Sequence, residues 1–176
     1  MAMKNKLVKY LIIMLISFVI DSILRFYLPS SILKLGLTIV PYVGVMMFDL
    51  LNNTIDGEHR YIFASICGLY FSIIYGNSIF IYLLLFIIYS FFEKRYMKKA
   101  VITYFEALVI VVLTIFVQES VLYSLMWITN TTQLMITTFL IKRLLPTLLF
   151  NIVIFNGVYL IHDKLKLEGD IDVYYD

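Results

Sequence analysis

Apolar runs long enough to cross most or all of a bilayer fill this chain, separated by short polar blocks. They cover residues 7–28, 31–51, 61–75, 78–92, 100–127 and 139–161, and at about 1.5 Å of rise per residue each predicts a helix. The expected fold class is all-α: a polytopic membrane protein with six transmembrane helices, the second and third short or kinked, forming a single integral domain over residues 1–176. Six crossings return both ends to one side. Lys4, Lys6, Lys9, Arg60, Lys94, Arg95, Lys98, Lys99, Lys164 and Lys166 fall on the side of the termini, against Arg25, Lys34, Lys142 and Arg143 elsewhere. Because cytoplasmic loops carry the excess of cations, this bias predicts cytoplasmic termini.

Composition agrees with the pattern and narrows it little further. The chain is 62% hydrophobic and 15% charged, with a mean hydropathy of +0.93, which excludes an ordinary soluble domain. The net charge of +2 carries no orientation information of its own. Cys67 is the sole cysteine, so no internal disulfide forms, and it reads as a small apolar core residue. Lys4, Lys6 and Lys9 before an apolar run resemble a signal peptide, but the run continues to Leu28 without a small-x-small cleavage site and reads as the first span.

Departures from the apolar pattern carry more information. Pro41, flanked by Gly36 and Gly44, breaks the second run. Residues 32–40 are then an irregular entry to a short helix over 41–51, or the whole run is one kinked helix; in both cases the irregular backbone needs burial in protein. Ala64, Gly68, Ser72 and Gly76 recur at four-residue spacing in the third run and predict a small-residue packing face. In the last run Arg143, Thr147 and Asn151 fall at i, i+4 and i+8, one polar stripe that lipid would not accept. Pro146 lacks the N–H that would bond the Lys142 carbonyl, so that oxygen needs a partner from elsewhere.

Depth arguments pair the ionisable groups. Asp21 and Arg25 lie in the outer half of the first span at i, i+4. Glu119 comes about 28 Å along the fifth span, at the expected level of Arg143. A buried polar network of Asp21, Arg25, Glu119, Arg143, Thr147 and Asn151 follows, with Asp21 meeting Arg25 and Glu119 meeting Arg143. Asp49 and Glu106 lie near the cytoplasmic surface, where they are expected to snorkel to water. The segment 93–99, beginning at Glu93, reads as a basic cytoplasmic loop.

Support for catalysis is slight. His59 and His162 lie in different regions, no metal-ligand spacing includes either, and there is no phosphate-cradling Gly-rich loop. No cofactor, metal or nucleic acid is expected.

In these residues the chain resembles the rod-shape-determining protein MreD family, small six-span proteins of the bacterial cell membrane. The resemblance rests on Arg143-x-x-Pro146-Thr147-x-x-x-Asn151, Asp21-Ser22-Ile23, Val40-Pro41, Gly68-Leu69-Tyr70 and Glu119, in that family's order. The family's third-span aspartate is replaced here by Ser72. The resemblance implies a non-catalytic scaffold subunit of the cell-elongation machinery that directs side-wall peptidoglycan synthesis and cell shape. Its implied partners are an MreC-like bitopic protein, RodA and a class B penicillin-binding protein. The family's fold is similar to that of the substrate-binding subunits of energy-coupling-factor vitamin transporters, which is the alternative reading. Those subunits usually carry an Ala-x-x-x-Ala pattern on the first span, whereas residues 7–28 contain no alanine.

Overall fold

A computed structural model describes residues 2–28, 36–55, 57–75, 79–96 and 103–165. Among them the chain is all-helical, with helices α1 (Ala2–Tyr27), α2 (Val43–Asn52), α3 (His59–Tyr75), α4 (Ile79–Tyr96), α5 (Tyr104–Ile128) and α6 (Ile136–Lys164). Three are long and apolar enough to cross a membrane: α1 over Lys6–Tyr27, α5 and α6. Their outer faces expose Ile12, Ile16, Val109, Leu113, Leu149 and Val153, surfaces that suit lipid.

The short helix is the core of the bundle. All ten residues of α2 are buried, and each of the other five helices packs against it. Its sequence, VGVMMFDLLN, is apolar around almost the whole circumference, which suits a helix enclosed by protein. Phe48 stacks on Phe63 and packs against Phe86, tying α2 to α3 and α4. At about 15 Å, α2 is too short to span alone. The chain enters it through non-helical residues 37–42, so of the two readings of the second run, irregular entry followed by a short helix is the one observed.

Two glycines set helix spacing. A Cβ on Gly68 would lie 2.8 Å from the Leu83 Cα and 3.0 Å from the Tyr82 carbonyl oxygen, so α3 and α4 touch backbone to backbone there. Ala64 and Ser72 are buried on the same face, while Gly76 lies outside the described residues. A Cβ on Gly44 would run into the Phe18 ring, which brings α1 against the start of α2. Pro146 does not break its helix: α6 accommodates it with one π-helical turn, Leu140–Leu144, in which the Leu145 N–H donates to the Leu140 carbonyl. Such wider turns are the usual means of fitting a disturbed ladder into a continuing helix.

Helix ends meet in two polar layers. In one, Lys6 Nζ donates to the Thr54 carbonyl at 3.1 Å and Thr54 Oγ1 to the Tyr10 hydroxyl at 2.9 Å. Arg60 is buried there, donating to the carbonyls of Ile55 and Asn53 at 3.0 and 3.1 Å. Thr103 and Glu106 form a capping box at the start of α5, so Glu106 is a helix-start residue rather than a charge within a span. The second layer, at the opposite end of α2, holds the candidate site.

Candidate functional site

Extended backbone in an apolar interior exposes N–H and C=O groups that no helix ladder satisfies. The segment 38–42 solves this by running along the polar stripe of α6. Thr38 N–H donates to the Lys142 carbonyl at 2.8 Å, and this carbonyl is the one that Pro146 leaves free. Thr147 Oγ1 accepts from Val40 N–H at 3.3 Å and donates to the Thr38 carbonyl at 3.5 Å. Asn151 spans Pro41: its Nδ2 donates to the Val40 carbonyl at 2.7 Å, and its Oδ1 accepts from Tyr42 N–H at 2.9 Å. Thr147 and Asn151 are both fully buried. The stripe on α6 therefore serves as the second strand that this extended segment lacks.

Asp21 finishes the entry. Its Oδ1 accepts from Val43 N–H at 2.8 Å and its Oδ2 from Gly44 N–H at 3.2 Å, so a carboxylate from α1 caps the first turn of α2. Negative charge is favoured at that position because unpaired amides and the helix dipole both point toward it. Beside it, the residue before Val43 is also held by its side chain: Tyr42 Oη donates to Glu119 Oε1 at 2.6 Å, while Arg143 Nε donates to Glu119 Oε2 at 2.7 Å. Glu119 is completely buried, and the Arg143 side chain keeps 30% exposure.

The structure brings Glu119 and Arg143 together as the depth argument expects. Asp21 and Arg25 make no direct ion-pair contact, although the Arg25 charge acts on the Asp21 carboxylate. Burial at the α2 N-terminus offers Asp21 two amides, and Arg25 turns instead onto the Tyr75 ring, 3.9 Å from its centroid, with Tyr42 at 5.5 Å and Phe71 at 6.0 Å. Aromatic faces attract a guanidinium strongly when water is scarce.

Compared with protein-family profiles, curated proteins and solved structures, the chain matches none.

The arrangement holds backbone in place and balances charge. Among the described residues no group of three or more His, Cys, Asp or Glu side chains converges. The two histidines are far apart in sequence, and Cys67 is buried without exposure.

Sequence reasoning missed a second polar cluster at the far end of α2. Asp49 and Glu93, which it placed at the surface and in a loop, are 3% and 5% exposed. The reason is that α4 continues through Glu93 to Tyr96, carrying that carboxylate inward beside α2, where Asn52 Nδ2 donates to Glu93 Oε2. A usable signal was present: Phe86, Tyr89 and Glu93 fall at i, i+3 and i+7 on one helical face, and all are buried.

Proposed function

We propose that this chain is a non-catalytic scaffold subunit of the MreD kind, acting in the bacterial machinery that directs side-wall peptidoglycan synthesis and cell shape. The observation that carries the reading is the union of two stretches that bear the resemblance. Val40-Pro41 and Arg143-x-x-Pro146-Thr147-x-x-x-Asn151 form one hydrogen-bonded unit, closed by Asp21 and Glu119. These groups are engaged with backbone or with each other, as a packing role requires and a reactive site does not.

In this proposal the chain crosses the cell membrane six times with both termini in the cytoplasm. The five residues 38–42 at about 3.3 Å each, followed by α2 at about 1.5 Å per residue, cover roughly 30 Å, the thickness of a hydrocarbon core. The bundle is then similar to the substrate-binding subunits of energy-coupling-factor transporters in fold, with a different task. The single span of an MreC-like bitopic protein packs against it, and RodA and a class B penicillin-binding protein belong to the same assembly.

Purification of the tagged protein from its native membrane in mild detergent tests this. Co-purification of a bitopic protein with a large extracytoplasmic coiled coil, absent from an untagged control, is the expected result. Recovery of ATP-binding-cassette ATPases with an energy-coupling subunit, or of a bound vitamin-sized molecule, overturns it in favour of transport.

A further inference from the structure

The Asp49–Glu93 cluster lies at the opposite end of α2 from the hydrogen-bonded unit of residues 38–42 and α6, and plays no part in the scaffold reading. Two carboxyl groups meet there, each a neighbour of the other, between α2, α4 and α5. Asn52 donates to Glu93, Ser90 Oγ donates to Asn52 Oδ1 at 3.3 Å, and the Thr114 hydroxyl on α5 neighbours Asp49. Among the described residues the Asp49 carboxyl has the Glu93 carboxyl and the Thr114 hydroxyl as polar neighbours, and no N–H or O–H donor is well placed on either Asp49 oxygen or on Glu93 Oε1.

Charge balance is the difficulty. At the other end Glu119 has Arg143 at 2.7 Å, but this pair has no ion-pair partner among the described residues. Arg60 on α3 acts on Glu93 from a distance, its Nε and one terminal nitrogen bound to loop carbonyls. Lys6 on α1 is turned to Thr54, and the electrostatic neighbour of His162 on α6 is Asp163. Two adjacent negative charges in an apolar interior are not tolerated without a compensating cation.

A second observation comes from the polar side chain beside the carboxyls. The Tyr89 hydroxyl, on a residue 5% exposed, stands in the field of Asp49 and has no hydrogen-bond partner. Hard oxygen donors surround the carboxyls, a set suited to a small monovalent cation and lacking the nitrogen and sulfur ligands that favour transition metals.

We propose that Asp49 and Glu93 form a buried monovalent-cation site, filled by a proton shared between the two carboxyls or by a sodium ion. A bound proton sits as O–H on one carboxyl and donates to the other. Sodium uses the same oxygens with those of Asn52, Ser90 and Thr114. Because α2 is the helix that every other packs against, occupancy at its end couples cation binding to the stability of the whole bundle. The inference is independent of the proposed assembly.

The test uses the full chain in lipid nanodiscs. Melting temperature is followed in sodium chloride against choline chloride at equal ionic strength, and the infrared carbonyl stretch of carboxylic acids is recorded in sodium-free buffer at neutral pH. A saturable sodium-specific rise in melting temperature that is lost in Asp49→Asn and in Glu93→Gln identifies sodium. A protonated-carboxyl band lost in the same variants identifies the proton. The amides mimic a neutral carboxyl in size, and isotope labelling of the aspartate and, separately, the glutamate carboxyl carbons reads the band in the wild-type protein if a variant does not fold. Absence of both the sodium effect and the band overturns the site.

Discussion

Asn151 shows how one side chain meets two backbone needs. Its amide copies a peptide group, with a donor and an acceptor side by side, and so bonds the carbonyl before Pro41 and the N–H after it. Each group left unpaired in the interior would cost about 1–3 kcal/mol. Glu119 carries a heavier obligation, since a buried carboxylate without its guanidinium is strongly disfavoured. Glu119→Ala and Arg143→Ala are each expected to lose about 3–5 kcal/mol of stability, and the double variant much less than their sum. Reversible denaturation in mixed micelles measures the four corners of that cycle. Additive losses would mean that the 2.7 Å contact contributes no coupling.

At the scale of elements, the glycines behave oppositely according to what surrounds them. Gly68 faces the α4 backbone at a distance no real Cβ tolerates, whereas a Cβ on Gly157 in α6 meets nothing within 4 Å. Gly68→Ala is therefore expected to force α3 and α4 apart and cost about 1–3 kcal/mol. Gly157→Ala, in a helix interior with free space, is expected to stabilise by up to about 1 kcal/mol. Melting temperatures of the two variants, measured side by side in one detergent, must move in opposite directions. The same contrast explains α6 itself: Pro146 removes one ladder bond, the π turn absorbs the ring, and Thr38 takes the carbonyl left over, so the helix continues for 29 residues.

At the scale of the molecule, two polar layers lie at opposite ends of α2, and the proposed topology gives them opposite sides of the membrane. The layer with Lys6, Arg60 and Lys94 faces the cytoplasm in the proposed topology, and the turn between α5 and α6 faces outward. Exposed Glu58 and Gln133 report on the two sides. With Cys67 replaced by Ala, Gln133→Cys is expected to react with a membrane-impermeant maleimide on intact cells, and Glu58→Cys only after permeabilisation. Reversed labelling would invert the topology, and labelling of both in intact cells would contradict the three crossings expected between them. The buried Cys67 thiol of the wild-type protein should react only on denaturation.

Much of this was legible in the linear pattern because helix periodicity is local. Spacing alone placed Arg143, Thr147 and Asn151 on one stripe, Ala64, Gly68 and Ser72 on one face, and a carbonyl in need of a partner before Pro146. Length and rise brought Glu119 to the level of Arg143. The partners of those groups were a different matter, since Asn151 bonds backbone 109 and 111 residues away and Asp21 caps a helix 22 residues on. The near neighbour Arg25, the obvious choice at i+4, acts on Asp21 only through its charge, while two buried amides hold the carboxylate and an aromatic face holds the guanidinium. Asp49 and Glu93 were misplaced for the same reason: an apolar run marks where lipid or core must be, but only the packing of α4 against α2 decides that a carboxylate at its end turns inward. The sequence by itself determined which groups lipid would reject, because that depends on their own polarity and period. Tertiary structure alone decided where each rejected group found its partner, because that depends on which distant segments the fold brings within hydrogen-bond reach.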